Sequence, residues 1–246
     1  MTKTLTGFHA VTSRLRQRPE TVNEIYVDAA RSDARSKDLR ALAKRLDVRI
    51  IPVDAKRLDG MAAGVKHQGV VAQAEPLDMP QFIEDVLEAI VGPPLLLILD
   101  GVQDPHNLGA CLRVADGAGA HAVIAPKDRS VGLTTAAIKV ASGAAESVPY
   151  IVVTNLARTM RDLKDKGIWM IGADDSAQDP LYKAKLDGAA AFVLGAEGEG
   201  LRRLTRESCD LLVSIPMMGS VQSLNVSVAS GVCLYEARRQ RSKSLR

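Results

Sequence analysis

Leu95-Leu-Leu-Ile-Leu99 narrows the fold most: five consecutive large aliphatic residues, closed by Asp100-Gly101. A strand with one wet face alternates apolar and polar residues. An unbroken run therefore belongs in a strand covered on both faces, as in a parallel sheet sandwiched by helices. Further apolar runs at 121–125, 150–153, 168–173, 190–194 and 211–215 alternate with stretches of helical periodicity. The expected fold class is α/β, with a parallel sheet in the C-terminal part.

In such sheets ligands gather beyond the carboxyl ends of the strands, and three of those ends carry chemistry. Asp100 to Asn107 follows the first run and leads into a helix bearing Arg113. These two side chains are six residues apart and serve one site only if Asn107 caps the helix. Gly195-Ala-Glu-Gly-Glu-Gly-Leu201 lacks both the Gly-x-Gly-x-x-Gly fingerprint and a Gly-Lys-Ser/Thr ending. Glu197 and Glu199 would repel a pyrophosphate, which disfavours NAD and ATP and favours a ligand without phosphate or with positive charge. The third end, Pro216 to Asn225, opens a helix expected from near Ser223 to about Arg238. Ser220, Ser223, Asn225 and Ser227 surround its start, and one N-cap needs only one such residue. Leu224, Val228, Val232 and Tyr235 form its apolar stripe, expected in the core or a dimer interface.

The N-terminal part reads as compact α/β alternation: a strand at 22–27, a helix at 36–46 capped by Ser36, and a strand at 48–53. Arg14, Arg16 and Arg18 precede the first of these strands in a segment read as mobile. Lys37, Arg40, Lys44 and Arg45 make a basic face. The loop from Gly64 to Gly69 can approach a nucleic-acid backbone closely, although a structural role for His67 outweighs a ligand-contacting one. Pro and Gly punctuation from 76 to 94 separates a domain at 1–75 from one at 94–246, with 76–93 as a linker carrying a short helix near 81–91.

Charge divides with the chain. Residues 1–75 hold 14 Lys and Arg against 9 Asp and Glu, residues 76–235 hold 13 against 19, and the last eleven hold 5 against 1. Basic ends around an acidic middle suit a phosphate-backbone binder. An apolar content of 46% without an apolar run near 18 residues indicates a soluble chain with no membrane segment. No signal-peptide core is present, and Cys111, Cys209 and Cys233 lack metal-ligand spacing, so the expectation is a cytoplasmic protein without a metal.

Three segments, Asn107-Leu-Gly-Ala-Cys-Leu-Arg113, Gly195 to Leu201 and Ile215-Pro-Met-Met-Gly-Ser-Val-Gln-Ser-Leu-Asn-Val-Ser-Val-Ala229, resemble in order and spacing the motifs of the SpoU/TrmH family of RNA 2′-O-ribose methyltransferases. Gly7-Phe-His-Ala-Val and His67-Gln-Gly-Val-Val-Ala resemble the small L30e-like domain that precedes the catalytic domain in one branch. The resemblance implies a SPOUT domain with a trefoil knot, S-adenosylmethionine as cofactor and a homodimer. By match, Gly195, Ile215, Met217 and Leu224 cradle the cofactor, while Asn107, Arg113, Glu197, Ser223 and Asn225 form the catalytic surround. The implied substrate is a guanosine ribose in the peptidyl-transferase loop of 23S ribosomal RNA, as free RNA or in a large-subunit precursor.

A 2′-hydroxyl is a poor nucleophile, so alignment and proton removal carry the catalysis. A guanidinium is a poor base, which favours Arg113 as a phosphate anchor and stabiliser of alkoxide charge. The alternatives are a transfer-RNA methyltransferase, a silent RNA-binding assembly factor that keeps the fold, and a dehydrogenase disfavoured by the missing fingerprint.

Overall fold

A computed structural model of the chain describes residues 2–196 and 198–244, the side chains of the last two excepted. Glu197 lies outside the described residues. The chain forms two units, Met1–Met79 and Pro80–Arg246.

The first unit runs β1 (Lys3–Thr6), α1 (Phe8–Gln17), β2 (Val22–Asp28), α2 (Ala34–Arg45), β3 (Ile50–Val53), α3 (Ala55–Ala62) and β4 (Val70–Ala74). Its sheet has the order β1-β4-β2-β3, with β2 and β3 parallel and β4 antiparallel to both its neighbours. Side-chain alternation divides the core. Ile25, Val27, Val70 and Ala72 face α1 and α2, while Tyr26 and Val71 face Leu58 and Ala62 of α3.

Two expectations are corrected here. The arginine-bearing segment before β2 is helix α1, and Arg14 is 2% exposed. Its Nη1 donates to Glu75 O (2.8 Å) and Thr21 Oγ1 (3.2 Å), partners that offset part of the cost of burying a guanidinium. Helix α2 begins two residues earlier than expected. Asp33 caps it by accepting from Ser36 N (2.9 Å), while Ser36 is buried inside the first turn.

The second unit runs α4 (Ile83–Glu88), β5 (Leu95–Asp100), α5 (Pro105–Ala118), β6 (Ala122–Pro126), α6 (Thr135–Ala141), β7 (Tyr150–Val153), α7 (Leu156–Asp165), β8 (Trp169–Ala173), β9 (Ala190–Gly195), α8 (Arg203–Glu207), β10 (Leu211–Val213) and α9 (Val226–Ser244). The sheet order is β10-β8-β9-β5-β6-β7, parallel throughout. Every residue of β5 is buried, Leu95, Leu97 and Leu99 against one core and Leu96 and Ile98 against the other. Ile83 and Val86 of α4 pack into the second core, so the stretch read as a linker contributes a helix to this unit.

Helix α9 starts at Val226, three residues later than expected, because Ser220 to Leu224 stay in the preceding loop. Its core face is Val226, Ser230, Cys233, Leu234 and Ala237, whereas Val228 and Tyr235 of the predicted stripe are half exposed. Arg241 near its end donates to Pro93 O (2.9 Å), Pro94 O (2.8 Å) and Gly188 O (2.6 Å). Among the described residues no helix is long and apolar enough to cross a membrane.

Candidate functional site

The chain builds β5, β6 and β7 outward, then returns to lay β9 on the opposite side of β5. Such a switch opens a crevice at the strand carboxyl ends, here Asp100 and Gly195.

After Gly195 the chain doubles back tightly. Gly200 N donates to Ala196 O (3.0 Å), and Gly198 and Gly200 adopt positive φ of 79° and 67°. The returning strand passes directly over Gly195, where a Cβ would sit 2.0 Å from the carbonyl carbon and oxygen of Gly200. Only glycine fits.

The returning strand is then tied down from below. Arg202 N donates to Asp100 Oδ2 (3.1 Å), Nε donates to Oδ1 (2.6 Å), and Nη2 also donates to Oδ1. Asp100 is 1% exposed, and removing one partner of a buried charged pair leaves the other uncompensated. Asp100→Asn is expected to cost about 2–3 kcal/mol. Scanning calorimetry should show a midpoint lower by about 5–10 °C; an unchanged midpoint would mean that the clasp is dispensable.

This loop and the one after β10 enclose a cavity of about 640 Å³. Gly195, Ile215, Met217, Ser223, Leu224 and Asn225, all singled out from the sequence, line it. Asp174, Asp175 and Arg206 line it too, and sequence reasoning missed them as site residues; the only signal was a pair of acids just past an apolar strand. Arg206 Nε donates to Asp174 Oδ2 (2.6 Å), and Ser176 N and Oγ donate to Oδ1 (2.9 and 2.5 Å). Burial opposes the Asp174 carboxylate, but the bonds from Ser176 and Arg206 outweigh it and hold its pKa below the usual value. Arg206, the cavity's single described cation, is therefore already neutralised, and the rest of the described wall is apolar, backbone, acidic or, at Gln222, Ser223 and Asn225, neutral and polar.

A second cavity of about 230 Å³ adjoins the first, lined by Gly101 to Asp104, Asn107, Ala196, Glu199 and Val226. Ala196, Glu199 and Val226 line both. Asn225 and Asn107, 118 residues apart, meet in the partition: Asn225 Nδ2 donates to Asn107 Oδ1 (2.9 Å). Asn225 Oδ1 accepts from Ser227 N (2.9 Å) and Oγ (2.6 Å), capping α9 and fixing the amide's direction. Asn107 is not itself a cap. Asp104 caps α5 by accepting from His106 N (2.9 Å), and Pro105 opens the helix, so Asn107 projects from the third helical position.

Arg113 is not brought to the same place. It sits about 9 Å further along α5, exposed beside Ala110 and Gly117, and lines neither cavity.

Comparison with known proteins gives the chain's relatives. The SpoU rRNA methylase family matches residues 94–235, and the RNA 2′-O ribose methyltransferase substrate-binding family matches residues 4–80. The chain is 64% identical over 240 residues to the 23S rRNA (guanosine-2′-O-)-methyltransferase RlmB of Ralstonia nicotianae, covering 98% of this chain and 96% of that one. The protein of the same name from Neisseria meningitidis is 56% identical over 235 residues, covering 96% and 94%. Among solved structures, an RNA 2′-O ribose methyltransferase superposes with a TM-score of 0.74 at 25% identity, covering 98% of this chain and 89% of that chain. The SpoU methyltransferase AviRb from Streptomyces viridochromogenes, solved with AdoMet, shares the fold with a TM-score of 0.71 at 23% identity, covering 98% and 91%.

Proposed function

Because the chain belongs to the SpoU rRNA methylase family, we propose that its two adjoining cavities are the donor and acceptor halves of one site. The reaction is S-adenosylmethionine-dependent 2′-O-methylation of a guanosine in 23S ribosomal RNA. The observation that carries the assignment of the cavities is their shared wall, where Asn107 and Asn225 join across 118 residues.

The larger cavity fits the cofactor chemically. A sulfonium is cationic and carries no phosphate, and beyond the Asp174–Arg206 pair the walls offer the carboxylates of Asp175 and Glu199. Gly195, Ile215, Met217 and Leu224 would hold the cofactor against backbone and apolar surface. When bound, the cofactor supplies an electrophilic methyl group. Asn107, braced by Asn225, holds the ribose in the smaller cavity so that its 2′-oxygen faces the partition. Ser223 and Asn225 close the wall from the third-motif loop, and Glu197 belongs to the same surround by match.

We read Arg113 as the cation that holds the phosphate beside the target ribose and steadies developing alkoxide charge. Its place outside both cavities, on the exposed stripe of α5, supports a homodimer in which Arg113 of one protomer serves the site of its partner. The half-exposed Val228 and Tyr235 of α9 suit the same interface.

Labelled methyl transfer tests the reading. Wild-type protein should label unmodified 23S ribosomal RNA at a single guanosine ribose. Asn107→Ala should lower kcat about 10- to 100-fold while leaving cofactor affinity within about twofold. Label appearing in transfer RNA, or in no RNA, would overturn it.

A further inference from the structure

Helix α2 in the N-terminal unit holds Arg35, Lys37, Arg40, Lys44 and Arg45 against the single acid Asp38. Lys37, Arg40 and Lys44 succeed one another at three- and four-residue spacing, which aligns them along one face. None of the three forms an ion pair among the described residues, and Arg40 has only a long hydrogen bond to Ser36 Oγ (3.5 Å).

Several helix cations of the second unit have a partner on their own helix. Arg158 pairs with Asp162 on α7, Arg203 with Glu207 on α8, and Arg239 with Glu236 on α9. Like charges at helical spacing destabilise a helix. The macrodipole relieves only Lys44 in the last turn, not Lys37 or Arg40. An external anion would relieve all of them.

The same face has a receiving shape. Arg40 and Lys44 line a groove of about 520 Å³ with Arg49, Val48 and Ile50, beside the edge strand β3, and Asp47 is its one acid. Arg49 bonds Glu24 (3.1 Å) yet keeps 73% of its side chain exposed. No exposed Phe, Tyr or Trp accompanies these charges among the described residues. The unit's only Phe, Tyr or Trp residues, Phe8 and Tyr26, are 5% and 7% exposed and lie under the guanidinium groups of Arg31 and Arg57. Single-stranded RNA is gripped by stacking its bases on aromatic side chains, whereas helical RNA offers phosphates and groove shape.

We propose that the α2 face and its groove dock the phosphate backbone of a double-helical segment of the RNA substrate, without reading bases. This rests on the assignment of the chain as a ribosomal RNA methyltransferase and adds where, and in what form, the RNA is held.

Fluorescence anisotropy of the full-length protein tests it, using a labelled RNA hairpin and a single-stranded oligouridylate of equal length over a salt series. Arg40→Ala/Lys44→Ala should weaken hairpin binding about five- to tenfold and flatten the slope of log affinity against log salt by about 1.5. Lys56→Ala/Arg57→Ala removes equal charge from α3, on the other face of the sheet, and should stay within about twofold of wild type. In methylation assays the α2 variant should raise KM and leave kcat unchanged.

An unchanged slope, an equal loss in the α3 variant, or a wild-type preference for oligouridylate would overturn the proposal. Failure of the wild type to methylate any ribosomal RNA would instead sink the functional assignment, since anisotropy reads the docking surface without methyl transfer.

Discussion

Gly195→Ala is expected to abolish cofactor binding and methyl transfer together. The added carbon would lie 2.0 Å from Gly200 backbone atoms and 2.4 Å from Leu201 N, and backbone cannot rotate aside as a side-chain end can. Either the returning segment lifts off or β9 shifts, and the larger cavity loses its floor in both cases. Isothermal titration with S-adenosylmethionine should show affinity reduced by at least about 100-fold, some 2.7 kcal/mol. The thermal stabilisation that saturating cofactor gives the wild type should vanish as well. Retained affinity would show that Gly195 does not border the bound cofactor.

Arg113→Ala should behave in the opposite way. Because Arg113 lines neither cavity, cofactor affinity should remain within about twofold. Methyl transfer should fall by about 100- to 1000-fold, the scale of losing one preorganised charge stabiliser. Lysine at this position should restore activity only in part, since an ammonium lacks the planar fork that grips a phosphate. The proposed dimer makes a sharper demand. Arg113→Ala and Gly195→Ala chains, each inactive alone, should regain about a quarter of wild-type activity when co-expressed. Half the dimers would then be mixed, each with one complete site. No recovery would place Arg113 at its own chain's cavity.

Much of the second unit was legible because burial on both faces leaves an unambiguous mark. Leu95 to Leu99 and Ala190 to Leu194 read as covered strands and are covered strands. The glycines after β9 stood out through their motif resemblance and their missing phosphate-binding fingerprint, whereas the close approach of Gly200 to Gly195 came only from the structure. Helix α1 was not legible. Arg14, Arg16 and Arg18 read as a mobile segment, and the partners of the buried Arg14 include the carbonyl of Glu75, 61 residues away in the sequence.

The site divides along the same line. Its residue types were visible, but the partition was not, because the pairing of Asn107 with Asn225 depends on the sheet's strand order. The condition for Asn107 and Arg113 to serve one site, that Asn107 cap the helix, is not met for a local reason: Asp104 and Pro105 make a better start three residues earlier. The acids and Arg206 in the larger cavity escaped notice because Asp174 and Asp175 have no periodic pattern to set them apart from a surface turn.

The grip of Arg241 on Pro93, Pro94 and Gly188 imposes an order on synthesis. A ribosome delivers Arg241 after every strand of the sheet, yet this side chain holds the point where the central strand begins. The first unit closes its sheet with β4, within 74 residues, and is free to fold while translation continues. The second must keep its apolar strands in waiting until α9 emerges, a long interval in which nascent β5 and β9 are candidates for chaperone capture. The polypeptide thus acquires its basic α2 face well before it acquires a place to put a methyl donor.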